Sequence, residues 1–368
     1  MERPWLTLFG NEEKYRIERG AQDVFLFSNA GKQQSGASMK KSENPFPVHS
    51  ICLVVCYFGK LPRYLDCFLR SCACNPDINW LIITDDPADY SLSPNVRLEQ
   101  CSFADLAEKF SSKLGFKVNL IHPHLLCDYR PAYGELFSEY LESFDFWGHC
   151  DLDMVMGDLR KYLTEDILEN YNKVLIRGHL CLYRNCDEAN AYYKLTAPNV
   201  PDYRSVFKAG VNMQFDEWRG IYKILRYHNI PQYHSEFIVD LKAPMRYEIG
   251  RFEGYQIKNY PFQLFYWHRG KIFQTYLHDE GAPLDVEFAY LHFQKRNLPR
   301  PAFDPAKVEG FLITPDGFFP YGREDLEEKD FVRYNHGRHK SLGEIAGHIR
   351  SRILAKLQKM GKYSRHGT

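Results

Sequence analysis

The first long apolar run is Ser50-Ile51-Cys52-Leu53-Val54-Val55-Cys56-Tyr57-Phe58. Unbroken apolar character over that length reads as a strand covered on both faces, as in a parallel sheet. Gly59 and Pro62 break it, and Tyr64, Leu65, Phe68 and Leu69 then recur at helical spacing. A second buried strand is predicted over Trp80–Thr84, ending in Asp85-Asp86-Pro87, and a weaker third over Val96–Cys101, followed by a helix over Phe103–Leu114. This alternation predicts an α/β domain with a Rossmann-like, mostly parallel sheet.

Beyond Gly134 a helix is expected to about Phe144, and an apolar and aromatic run from Phe144 to Cys150 forms the next strand. Gly157 opens a helix-like segment that reaches about Tyr171, with Asp158 as its N-cap. Val174–Tyr183 reads as one strand carrying Arg177, Gly178 and His179. Asp216-Glu217-Trp218 opens a helix through about Tyr227, His268-Arg269-Gly270-Lys271 marks a hairpin turn, and Phe288–Arg296 is a last short strand running into a loop.

The ends differ in character. Residues 1–46 are predicted to be a poorly structured extension, with a Ser, Gly, Lys and Gln linker at 28–44 and the functional start at Met39. One large domain is expected over 47–335. Over 336–368, Leu342, Ile345, Ile349, Ile353, Leu357 and Met360 repeat at helical spacing among Arg350, Arg352, Lys356, Lys359 and Lys362. That is a basic amphipathic C-terminal helix, suited to packing on its own domain or to peripheral membrane contact through 342–362.

Composition narrows the class. With 47 basic and 47 acidic residues, the chain as a whole is not built to bind nucleic acid or another polyanion. The 25 Tyr and 26 Phe are enough to stack on sugar rings, although filling the core is their default use. Ten cysteines sit at irregular spacings, and Cys72 and Cys74 fit neither a zinc knuckle nor a redox pair; reduced thiols in a cytoplasmic protein are expected. No apolar run approaches the length of a membrane span.

The candidate chemistry centres on Cys150-Asp151-Leu152-Asp153. Residues i and i+2 of an extended segment share a face, so Asp151 and Asp153 lie side by side where the strand ends. Two carboxylates so placed repel each other unless a cation neutralises them, and hard oxygen ligands suit Mn²⁺ or Mg²⁺. The bland alternative is a loop with two solvated or capping aspartates. In open α/β sheets ligands bind beyond the carboxyl ends of the strands, so the loops at 57–63, 84–87 and 151–157 should meet at one crevice. Asp85 and Asp86 are candidates to contact a nucleotide, or form a solvated turn. Arg130 could meet a phosphate, or pair with Asp128 or Glu135. Asp216 and Glu217 could act as a base, or simply begin a helix.

Phe-Trp-Gly-His-Cys-Asp-Leu-Asp at 146–153, Gly-Asp-Leu-Arg-Lys-Tyr-Leu at 157–163 and Tyr-Leu-His-Phe-Gln-Lys-Arg at 290–296 resemble a bacterial glycosyltransferase-like family, often encoded with capsule or surface-polysaccharide genes. So do Tyr-Phe-Gly-Lys-Leu-Pro at 57–62 and Asp-Tyr-Arg-Pro-Ala-Tyr-Gly at 128–134, and the resemblance spans roughly 50–300. More distantly the layout is similar to the glycogenin-like GT-A transferases, with an Arg-bearing helix, a strand ending in Asp-x-Asp and a late His. The resemblance implies a GT-A-like single domain that uses a nucleotide-sugar donor, UDP-linked by preference, and a glycan or lipid-linked acceptor. It implies that Asp153 binds the metal, that Asp151 contacts metal and ribose, and that His292 is the third protein ligand. Lys295 would hold the diphosphate, Arg130 would lie against the phosphates or donor sugar, and Asp85 or Asp86 would meet the nucleoside. Asp216 and Glu217 would stand near the acceptor. The glycogenin-like pattern has Gly and Lys-Pro after its late His, where this chain has Phe293-Gln294-Lys295-Arg296.

Two other classes compete. A metal-dependent nucleotidyltransferase should carry a Gly-rich basic loop after the first strand, and Gly59-Lys60-Leu61-Pro62-Arg63 has one Gly. A catalytically inactive glycan-binding or scaffold protein could keep the fold without turnover.

Overall fold

Alternate residues of the first strand enter two different cores. In the computed structural model β1 (Ile51–Cys56) is buried along nearly its whole length. Ile51, Leu53 and Val55 pack with helix α1 (Leu65–Ala73), while Cys52 and Val54 pack on the opposite face with helix α2 (Phe103–Leu114). Burial on both faces is what the continuous apolar run requires. The structure describes residues 49–335 except 235–236, 243–246, 251–257, 261, 278–282, 295–297 and 323–325. The predicted N-terminal extension, the start at Met39, the C-terminal helix with its membrane contact, and Lys295 therefore lie outside the described residues.

Next come β2 (Ile78–Thr84), β3 (Val96–Gln100), β4 (Phe146–Cys150) and β5 (Met154–Met156). They are followed by β6 (Lys173–Arg177), β7 (Leu180–Arg184), β8 (Gln232–Tyr233) and β9 (Ile238–Asp240). Seven of these form one sheet in the order β3-β2-β1-β4-β7-β6-β8. The β3, β2, β1 and β4 neighbours are parallel, and β7 is antiparallel to both β4 and β6. The fold is thus mixed α/β on a large, mostly parallel sheet, whose strand order reverses direction between β1 and β4. Gly148 sits in the middle of β4, where a Cβ would stand 2.2 Å from the Cys181 carbonyl oxygen. Beside it Trp147 stacks on Tyr183 with centroids 4.4 Å apart.

The chain then builds β10 (Gln263–His268), β11 (Lys271–Leu277), β12 (Pro283–Phe288), β13 (Tyr290–His292), β14 (Gly310–Thr314) and β15 (Gly317–Pro320). Five of them make an antiparallel sheet, β12-β11-β10-β14-β15. The expected hairpin turn is there: Arg269 and Gly270 take φ of 46° and 81°, the left-handed pair that a two-residue hairpin needs. A third, small sheet runs β5-β13-β9. All ten cysteines are unpaired thiols. No helix among the described residues is long and apolar enough to cross a membrane.

Several sequence expectations are corrected. The single strand over Val174–Tyr183 is a hairpin, β6 and β7, turning at Gly178-His179. Gly178 allows that turn to press on the 214–220 segment, since a Cβ there would meet Glu217 Oε1 at 2.6 Å. Gly157 follows a strand rather than opening a helix; Asp158 caps only a short turn over Leu159–Lys161, and Thr164 caps the true helix, Glu165–Asn170. The helix expected after Gly134 breaks at Phe137 into two short turns. Asp216 does not begin a helix: it lies in a turn, and the helix starts at Ile221. The reason is local. Asp128 accepts from the amides of Met213 and Phe215, both at 2.8 Å, and Gln214 adopts φ of 57°.

Candidate metal centre

The small sheet explains why distant residues meet. In β13, His292 is the register partner of Met154 on β5 and of Asp240 on β9. The Phe293 amide donates to the Asp153 carbonyl at 2.9 Å, and the Leu241 amide donates to the His292 carbonyl at 2.9 Å. Three segments far apart in sequence are therefore locked side by side by backbone bonds. On the other flank the Asp151 amide donates to the His179 carbonyl at 3.0 Å, bringing in the β6–β7 turn.

The side chains then converge. His292 Nε2 lies 3.3 Å from Asp153 Oδ1 and 3.9 Å from Asp151 Oδ2. Its other nitrogen, Nδ1, bonds Asp240 Oδ1 at 2.8 Å. Gln294 Nε2 donates to the same Asp240 oxygen at 2.7 Å, and the His179 ring stacks on His292 with centroids 4.5 Å apart. Burial alone would lower the His292 imidazole, but its hydrogen bonds and charge interactions with Asp153 and Asp240 outweigh that and push it up to about 10. Without a metal, the carboxylates thus hold a cation here in the form of a protonated imidazole. Asp151 is raised, first by burial and then by Asp153, with Arg130 and His292 opposing.

This donor set fits a hard divalent cation: two carboxylates and one imidazole whose far nitrogen is fixed by a buried carboxylate, the usual support for a metal-binding His. His179, Asp240 and His292 form a second cluster, fully buried. It fits a metal less well, because the His292–Asp240 hydrogen bond would have to break to free Nδ1. Burial drives His179 down to about 3, so it stands as a neutral ring, with Nδ1 at 3.2 Å from the Tyr290 hydroxyl. Neither Asp240 nor His179 emerged from the sequence as a site residue: the register of the small sheet reveals Asp240, and the bond from the Asp151 amide to the β6–β7 turn reveals His179.

Arg130 lies beside this cluster. Its guanidinium pairs with Asp151, donates to the Gly178 carbonyl at 2.6 Å and reaches Asp216 Oδ2 at 3.0 Å. It pairs with neither Asp128 nor Glu135 among its hydrogen bonds; Asp128 instead holds the 213–215 backbone. Asp216 is 3 % exposed, and burial pushes its carboxyl up to about 7 against the pull of Arg130. Glu217, half-buried, leans on Gly178 next to it. Arg130, Asp151 and Asp153 line a cavity of about 640 Å³ with Tyr57, Lys60 and Arg63.

Asp85 and Asp86 face the backbone of the 57–63 loop. Asp85 Oδ1 accepts from the Gly59 amide at 2.6 Å. Asp86 accepts from the amides of Leu61 at 2.7 Å and Ala88 at 2.9 Å, and those bonds hold its carboxyl below the ordinary range. Asp86 is committed to fixing the loop, and Asp85 is exposed. His149 is a core residue: burial, with Arg130, Lys173 and His179 nearby, keeps it neutral and well below its usual value.

Among curated proteins no match to the chain is found. The model of one family, described as a family of unknown function (DUF6625), matches residues 53–322, a span that takes in every described member of the metal cluster. The chain belongs to that family.

Proposed function

We propose that the chain is a metal-dependent glycosyltransferase of GT-A type. It would move a sugar from a nucleotide-sugar donor, UDP-linked by preference, to a glycan or lipid-linked acceptor of a surface polysaccharide. The observation that carries this reading is the convergence of Asp151, Asp153 and His292 beside Arg130 at the carboxyl ends of β1 and β4. That is the point where the strand order reverses, and where open α/β sheets bind nucleotides.

When bound, Mn²⁺ or Mg²⁺ supplies positive charge against the departing diphosphate. Asp151, Asp153 and His292 Nε2 would hold it. Asp240 keeps the proton of His292 on Nδ1, so that Nε2 presents its lone pair. Arg130, beside Asp151 in the cavity wall, would offer its guanidinium to phosphate oxygens. Asp85 and Asp86 fix the loop that carries Tyr57, Lys60 and Arg63, and so shape the donor side of the cavity. Asp216, or Glu217 next to it, takes the proton of the acceptor hydroxyl; a carboxyl pushed to about 7 is matched to that task at neutral pH.

The test is calorimetric titration of the full chain with UDP, GDP and CMP, each with and without Mn²⁺. Metal-dependent binding of one nucleotide, lost in Asp153→Ala and weakened in His292→Ala, supports the transferase and names the donor class. If the folded protein binds none of the three, the donor site is refuted and a scaffold that kept the fold takes its place.

A further inference from the structure

The segment after Asp216 presents a surface that the donor site leaves unused. Trp218 is 55 % exposed, whereas Trp80, Trp147 and Trp267 are at most 1 % exposed. A large indole left in water is normal for a lone residue, but this one is held by a rigid turn. Asp128 pins the preceding amides, and Ile221 N donates to the Phe215 carbonyl at 2.8 Å. Gly220 is packed so tightly that a Cβ would stand 2.2 Å from the Phe215 oxygen. The turn therefore fixes Trp218 two residues beyond a carboxylate that bonds Arg130 in the cavity wall.

Two cations lie on the indole itself, while the acidic residues just before it, Asp216 and Glu217, face Gly178. The Arg219 guanidinium lies 5.0 Å and the Lys223 ammonium 6.0 Å from the Trp218 ring, and Arg226 lies 5.7 Å from the Tyr222 ring. All three cations are exposed, and none forms an ion pair among the described residues. From Trp218 to Asn229 the sequence contains no acidic residue. An indole offers a flat apolar face for the C–H face of a sugar ring, and flanking cations are matched to a carboxylate or phosphate on that ring.

We propose that Trp218, Arg219 and Lys223 form an acceptor subsite for an anionic glycan, one whose sugars carry carboxylates. The identification of this ligand as the acceptor rests on the transferase reading; the binding itself does not. A membrane surface is the weaker fit. The aliphatic side chains of the short helix Ile221–Tyr227, namely Ile221, Ile224 and Leu225, are buried in its own domain, so little apolar area is left to enter a bilayer.

The full chain is titrated with tetragalacturonate and with neutral maltotetraose while tryptophan emission and heat are followed, in parallel with phosphatidylglycerol and phosphatidylcholine vesicles. The expected result is saturable binding of the charged tetrasaccharide with a change in emission. That binding should weaken at least ten-fold in Trp218→Ala. In Arg219→Gln/Lys223→Gln the charged ligand should lose its advantage over the neutral one. Equal binding of both sugars, binding unchanged in Trp218→Ala, binding to vesicles alone, or no binding by the folded protein would each overturn the proposal. Nucleotide titration separates the two readings. Sugar binding without nucleotide binding leaves this surface standing and removes the transferase; the reverse removes only the subsite.

Discussion

In the proposed metal site a proton and a cation would compete for one nitrogen, and that makes pH the most informative perturbation. His292 Nε2 must be unprotonated to bind a cation, yet in the metal-free chain the imidazole is pushed up to about 10. Apparent Mn²⁺ affinity should therefore rise about ten-fold for each pH unit between pH 6.5 and 9, with one proton released per ion bound. The same linkage acts on stability. A folded value raised from 6.5 to about 10 contributes stability that is complete below 6.5 and is lost as pH rises through 10. At about 1.4 kcal/mol per pH unit, that interval corresponds to roughly 5 kcal/mol in the metal-free protein. Metal-free protein should thus weaken toward alkaline pH, while Mn²⁺ should stabilise it progressively more. The assay is Mn²⁺ calorimetry in buffers of different ionisation enthalpy, with urea unfolding at the same pH values with and without metal. A pH-independent affinity, or an unchanged slope in His292→Gln, would refute the assignment of this imidazole.

Three further outcomes follow from the same geometry. Arg130→Gln leaves the buried Asp216 without its cation and should cost about 3 kcal/mol of stability at pH 8. With the Asp216 carboxyl near 7, the loss should be about 1.4 kcal/mol smaller at pH 5, where Asp216 is protonated, so urea unfolding that shows an equal loss at both pH values contradicts the pairing. Asp86→Asn removes the charged acceptor of the Leu61 and Ala88 amides, at about 1–3 kcal/mol. Hydrogen exchange should then speed up at Leu61 and Ala88 first, and unchanged protection there would mean that the loop is held by other contacts. Gly148→Ala drives a methyl into the Cys181 carbonyl at the centre of the sheet, and should cost about 3 kcal/mol or abolish soluble expression. A near-neutral urea midpoint would show that β4 and β7 can separate freely.

The parallel half of the fold was legible because local pattern and tertiary role agree there. A strand covered on both faces is apolar nearly throughout, and Ile51–Cys56 and Trp80–Ile83 are. The Asp151 and Asp153 pair was legible for a related reason, since the period of an extended chain places them on one side whatever follows. The antiparallel insertions were not. β6 and β7 together read as one strand because Arg177-Gly178-His179 carries no strong turn signal; the turn shows only in the pairing of Arg177 with Leu180, where Gly178 leaves room for Glu217, a residue far along the chain. Asp216 looked like a helix start for the ordinary electrostatic reason, and its real partner, Arg130, is a tertiary one.

Asp240 is the instructive omission. Nothing in Ile238-Val239-Asp240 distinguishes it from the end of any short apolar strand. It gains a role only because β9 lies parallel to β13 in a register that sets Asp240 against His292. A shift of one residue would turn its carboxylate to the opposite face of that sheet. The first ligands of the cluster can be read from sequence because they are adjacent on one strand end, whereas the residues that orient them are supplied by strands drawn from the far end of the domain. Those orienting residues also decide whether the cluster can hold a cation. With Asp240 in place, Nδ1 of His292 is committed and Nε2 is aimed at Asp151 and Asp153. Without it, a buried imidazole beside two carboxylates would be free to turn and satisfy either one. The small three-stranded sheet thus does for the Asp151, Asp153 and His292 cluster what the seven-stranded sheet does for the cavity: it converts backbone register into side-chain aim.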